Sequence, residues 1–210
     1  MKQSTNETLY AYWNGVRQNR PAPRRFEIEP SHIAGILPNT FILERVDSET
    51  FRYRLAGTAL GDMFRTELRD TNFIGNFDEE SQAAVERLLA SVTLHYGAGV
   101  IIFDMHLADG RTLALEALLL PLIHTRGGVD RVLGAISPLD VPEWLGHEAP
   151  SCWHATSLDV MWPDGQPLPS LDTLDRQEPF SPHIRKARIV RSERRQFRVY
   201  DGGLSGPPKS

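Results

Sequence analysis

Phe51-Arg52-Tyr53-Arg54-Leu55 alternates without a break between apolar and cationic side chains. That is the two-residue period of a half-buried strand. Upstream, Phe41-Ile42-Leu43-Glu44-Arg45-Val46 is a second strand-forming run, and Asp47-Ser48-Glu49 between the two is a turn, so the pair reads as a hairpin. Gly57 ends it. Residues 58–76 carry Gly61, Asp70, Asn72 and Gly75 among short apolar pieces, and are expected as broken helical turns. Val85, Leu88, Leu89 and Val92 then form a helical stripe within 78–95, with Gly97 and Gly99 as expected stops. Beyond it come three more strand-forming runs, the first two joined by Asp109-Gly110, a hairpin dipeptide. The expectation is one five-stranded antiparallel sheet from about 40–46, 50–56, 99–107, 111–122 and 131–138. Strand pairs at both ends with helices between them make an α+β fold.

The N-terminal segment reads as a flanking helix and an extended linker over 1–30. Ser4-x-x-Glu7 matches a capping box, and Leu9, Tyr12, Trp13 and Val16 lie on one helical face. The helix is expected over about 5–18, stopped by Arg20-Pro21-Ala22-Pro23-Arg24. Pro30 suits the first position of a short helical turn. A stripe holding a Trp and a Tyr must be buried somewhere, and such residues are enriched at interfaces. A homodimer built on this helix is therefore expected, with packing on the chain's own sheet as the alternative.

Composition narrows the class. The chain has 210 residues, a net charge of -4 and one cysteine, Cys152. One thiol excludes a disulfide framework or a multi-cysteine metal site within a single chain. The N-terminus has no apolar core of a secretory signal. The longest apolar stretch, Leu113 to Ile123, is interrupted by Glu116 and Pro121 and is far short of a membrane span. A soluble, cytoplasmic protein is expected. Nine of the fifteen prolines fall in 142–210, so 147–182 is expected to be an irregular extension after a core domain at 31–146. In the final segment, 183–210, the stretch 183–198 sets Arg185, Lys186, Arg188, Arg191, Arg194, Arg195 and Arg198 against Glu193 alone. That +6 leaves -10 on the rest of the chain. A basic tail of this kind is either solvated or contacts nucleic acid or an acidic partner.

Several stretches carry a more specific signal in their order along the chain. They are Tyr12-Trp13 with Arg17, Arg20, Pro23 and Arg25; Pro30 with Leu37-Pro38; Phe51 through Thr58; Leu115-Glu116 with Leu119 through Leu122; and Leu133-Gly134-Ala135 with Trp144-Leu145. Together they cover about 9–146. In these the chain resembles a family of small bacterial PAS-like proteins. The resemblance implies a PAS fold, with strands one and two paired, a helical crossover and three strands in meander. It also implies a sensory or adaptor role in signalling. It does not extend to residues beyond 146.

PAS domains commonly sense through a cavity between the sheet and the helical crossover. By that analogy Tyr53, Leu55, Phe64, Phe73, Leu88, Val92, Phe103 and Met105 either line a small-molecule pocket or fill a core. Glu116 sits in a strongly apolar strand, and a buried carboxylate needs a partner. An ion pair or a backbone hydrogen bond near the first helix is expected, with Arg20, Arg25 and Arg54 as candidate donors, and the same arginines are candidates for an anionic ligand. Haem would need an axial histidine, for which His95 is the best placed, although a histidine at a helix C-terminus also suits the helix dipole. A photoactive flavin domain of the light-oxygen-voltage type needs a cysteine just after the second strand, whereas Cys152 is expected outside the sheet. His147, Cys152 and His154 match no zinc spacing, and no metal site is expected. Gly203-Leu204-Ser205-Gly206 lacks the spacing of a nucleophile elbow, and no phosphate-binding loop is present. The sequence therefore points to a non-catalytic PAS-type module without a predicted cofactor, acting through protein contacts with or without a small ligand. The alternative is a binding protein that uses its basic tail.

Overall fold

In the computed structural model, which describes residues 1–124, 128–166 and 168, the alternating run becomes strand β2 (Phe51–Ala56), paired antiparallel with β1 (Thr40–Arg45). After β2 come a short helix α2 (Thr58–Phe64), a 3-10 turn at Ile74–Asn76 and the long helix α3 (Glu79–His95). Strands β3 (Ala98–His106), β4 (Thr112–Ile123) and β5 (Val129–Pro138) follow as a meander. Helix α1 (Ser4–Arg17) precedes them all. The α+β reading and the antiparallel sheet are borne out, but the sheet has six strands, in the order β2-β1-β5-β4-β3-β6.

The sixth strand is a correction. Cys152–Met161, expected to be irregular, forms β6 and pairs antiparallel with β3 along its whole length. Pro150 and Pro163, which argued for an irregular chain, bracket this strand rather than interrupt it. Backbone pairing to an otherwise open edge supplies what the side-chain pattern does not. Cys152, expected outside the sheet, is its first residue. The sheet thus continues past residue 146. The remainder of the irregular segment beyond residue 168, and the basic residues from Arg185 to Arg198, lie outside the described residues.

The two faces of the sheet bury separate cores. One, under α2 and α3, holds Phe41, Leu43, Tyr53, Leu60, Phe64, Phe73, Val85, Leu89, Phe103 and Trp153 among others. The other holds Leu9 and Trp13 of α1 with Ile42, Val100, Leu118, Leu120, Leu122 and Leu133. Helix α1 therefore covers the sheet of its own chain. Leu9 and Trp13 are fully buried there, Tyr12 and Val16 pack at the margin, and the Trp13 indole N–H donates to the Pro121 carbonyl at 2.9 Å. The homodimer expected through this stripe is thereby deprived of its apolar face, because burial within the chain already satisfies it.

Two further details differ from expectation. Helix α3 ends on Tyr96 in the left-handed region (φ 60), not on a glycine. Gly97 serves packing instead, since a Cβ there would stand 2.6 Å from Val160 Cγ1 on β6. At the other end of the molecule the capping box does not form, and no side chain of the N-cap residue Gln3 caps α1.

Candidate functional site

Seven of the eight pocket candidates lie where a PAS cavity would be. Tyr53, Phe64, Phe73, Leu88, Val92, Phe103 and Met105 are all buried in the core beneath α2 and α3. They are joined by aromatic rings that the sequence reading missed. Trp153 of β6 stands 4.8 Å from both Phe64 and Phe103, 5.3 Å from Phe77 and 6.1 Å from Phe73, centroid to centroid. Phe41, Tyr53 and Phe73 continue the network at 5.6 to 5.9 Å. These separations are those of favourable aromatic pairs. The Tyr53 hydroxyl is buried without a hydrogen-bond partner in the described structure, and burial pushes its pKa well above the usual phenol range. No local signal in the sequence connects Trp153 to this core.

Leu55 is the exception and a correction. Ile42 pairs with Leu55 and Leu43 with Tyr53, so Arg54 is one residue too many in the ladder. Such a bulge breaks the alternation and turns the strand after it. Leu55 is consequently 54% exposed and faces away from the ring network.

The residues do not fit the cofactors considered from sequence. His95 Nδ1 lies 3.0 Å from the Leu168 carbonyl oxygen, and is engaged there rather than aimed into the core. A flavin between sheet and α3 would have to displace the rings around Trp153, and Cys152, its neighbour on the strand, alternates to the opposite side. His154 Nδ1 contacts Asp78 Oδ2 at 2.7 Å. No group of three or more metal-ligating side chains occurs among the described residues.

Glu116 is buried as expected, at 1% exposure, and of the two expected kinds of partner it has the backbone groups at the first helix, not the arginines. Its carboxylate accepts from the backbone N–H of Lys2 at 2.7 Å and of Gln3 at 3.2 Å, and from Asn6 Nδ2 at 2.9 Å. It thus caps α1 from the strand beneath it, satisfying free N–H groups where the helix dipole favours negative charge. The arginines go elsewhere. Arg20 pairs with Glu27 at 3.0 Å. Arg54 pairs with Glu44 and, at 2.7 Å, with Asp70, and Arg131 reaches the same Glu44 at 2.8 Å. Arg25 has no hydrogen-bonding or acidic partner for its side chain among the described residues.

Arg25, Ile42 and Leu55 border two adjoining cavities on the α1 side of the β1–β2 end of the sheet. The more enclosed one, about 190 Å³, is walled by Ile28, Ile33, Leu37, Ile42 and Leu133, with Gly57 at the strand end. The wider one, about 470 Å³, is lined by Arg25, Phe26, Arg54, Leu55, His124 and Arg131 as well as Ile42. Sequence reasoning named Arg25, Arg54 and Leu55 but not their neighbours. His124 follows β4 and Arg131 lies near the start of β5, and nothing local indicates that these two strand ends lie beside Arg25.

Residues 1–137 match the family model described as PAS domain. No curated protein matches the chain significantly. Among solved structures, the chain is similar to the Rhodobacter sphaeroides LOV protein, with 12% identity and a TM-score of 0.41 over 50% of this chain and 61% of that one. It is also similar to the blue-light photoreceptor Aureochrome1 LOV in its light state, with 12% identity and a TM-score of 0.39 over 50% of this chain and 83% of that one. The match thus spans less than two thirds of the Rhodobacter protein.

Proposed function

Because the chain belongs to the PAS domain family, we propose that it is a non-catalytic sensory or adaptor module in signalling that acts through protein contacts. The observation that supports this is the ring network around Trp153. The space where PAS domains commonly hold a ligand is packed with side chains of this chain itself, so the interior works as a core and the surface carries the output. The titratable groups described agree with this. The Asp78–His154 pair joins α3 to β6, and Glu116 caps α1, so both act structurally.

The test uses the freshly purified full chain. Native mass spectrometry reads the bound ligand and the oligomeric state together. Cross-linking in cells followed by reconstitution from two purified components then identifies the partner. A stoichiometric complex with a signalling protein is the expected result. A chain that forms no complex, or that turns over a substrate as an isolated protein, overturns the proposal.

A further inference from the structure

Phe26 and Leu55, 73% and 54% exposed, are large apolar side chains held in solvent, and both line the same cavity. Scattered exposed apolar residues are ordinary, but apolar side chains gathered at one concavity mark an interaction site. Leu55 is there because of the Arg54 bulge, a device that re-aims side chains next to sites. The wall behind it is closely packed: a Cβ on Gly57 would lie 2.3 Å from the carbonyl oxygens of Leu37 and Pro38. The enclosed cavity is apolar. At its mouth the charged side chains are cationic, namely Arg25, Arg54 and Arg131, beside the His124 imidazole. No carboxylate of the described residues lines either cavity.

The charges are not equivalent. Glu44 already bridges Arg54 and Arg131, whereas the Arg25 guanidinium, shared by the two cavities, is free among the described residues. One free guanidinium suits one carboxylate, which it holds through two parallel hydrogen bonds. A doubly charged phosphate would require the other two arginines to leave their acids.

We propose that this groove binds an anionic amphiphile, a short aliphatic chain in the apolar cavity with its carboxylate on Arg25. At roughly 30 Å³ for each water-sized group, the 190 Å³ cavity holds about six carbons, and a chain slightly longer than that reaches its carboxylate into the cationic mouth. The site does not depend on the chain having a signalling role.

Octanoate is the probe, titrated into the full chain and followed by calorimetry and by amide chemical shifts. The expected result is saturable one-to-one binding, with shifts concentrated at Arg25, Ile42 and Leu55 and no binding of octylammonium. Arg25→Gln should weaken octanoate roughly tenfold or more, the loss of a charge-assisted hydrogen bond. Leu55→Asp places a carboxylate in the mouth and should abolish binding. Both positions are solvent-accessible, and unchanged circular dichroism confirms the fold. If Arg25→Gln does not fold, Leu55→Asp alone decides. Absence of saturable binding, equal affinity for octylammonium, or binding that survives Leu55→Asp overturns the proposal. So does a dimer in sedimentation that Leu55→Asp dissolves and octanoate leaves intact, since the groove would then belong to a second copy.

Discussion

Asn6 and Glu116 stand 110 residues apart in the chain and meet through a 2.9 Å hydrogen bond from Asn6 Nδ2 to Glu116 Oε1. Asn6 also donates to the Glu116 carbonyl at 3.2 Å, and both residues are buried. The start of α1 is thereby tied to the middle of β4. Glu116→Gln keeps the shape but exchanges one acceptor oxygen for a donor that faces backbone N–H groups. It should cost about 1–3 kcal/mol, the penalty for unsatisfied buried donors. Asn6→Ala should cost a similar amount. Urea unfolding midpoints of the two variants and the double mutant measure this, and a shared interaction predicts a double-mutant loss smaller than the sum.

Stability should fall as pH rises above 6.5 through His154. The hydrogen bond to Asp78, then the Asp78 charge, raises the His154 pKa above 6.5. A raised pKa means that its contribution is complete below 6.5 and is lost as pH rises through the folded value. Asp78 is shifted the other way, held below 3.8 first by its hydrogen bond from Ser81 and then by His154. Its contribution is complete above 3.8 and is lost as pH falls through the folded value. The pair therefore stabilises most between about 4 and 6.5. Thermal midpoints of wild type should decline from pH 6 to pH 8 relative to His154→Gln, and parallel curves would contradict this.

Trp153→Ala should remove about 3–5 kcal/mol, the usual cost of a large-to-small change at a buried aromatic. The rings of Phe64, Phe77 and Phe103 would then border an apolar void. Indole added to the variant should raise its thermal midpoint and leave wild type unaffected.

Deletion of residues 1–18 should expose Ile42, Val100, Leu118, Leu120, Leu122 and Leu133 together. The expected outcome is aggregation, measured by light scattering, rather than a folded monomer. A soluble truncated chain with native circular dichroism would show that α1 is dispensable to the sheet.

The first five strands and α3 were legible because their own side chains alternate or repeat at the helical period. Phe51, Tyr53, Val85 and Leu89 declare their faces locally. Strand β6 was not legible, since Trp153 is its sole buried side chain and its pairing partner β3 lies some fifty residues earlier. The burial of Glu116 could be foreseen from its apolar neighbours. A backbone hydrogen bond near the first helix was also foreseen, but the donors named with it were arginines, because the N–H groups of Lys2 and Gln3 carry no sequence signature of their own. Leu55 misled for a related reason: an alternating pattern does not show that the partner strand skips a residue at Arg54. Of the groove, only Arg25, Arg54 and Leu55 were named in advance, Leu55 as lining for a different cavity. The rest comes from β1, the segment before it and the facing ends of β4 and β5, which only the folded chain brings together.

The single buried tryptophan in each layer makes the molecule its own optical reporter. Trp13 lies beneath α1 with the Arg17 guanidinium 5.6 Å from its ring, while Trp153 lies among phenylalanines on the opposite side of the sheet. Their emission comes from two environments separated by one layer of backbone. Variants keeping one or the other, with Trp144 and Trp162 replaced by Phe, would each light a different half. Coincident unfolding curves would mean that the two cores melt as one unit. An earlier loss of the Trp13 signal would mean that the helix lifts off while the ring network is still closed.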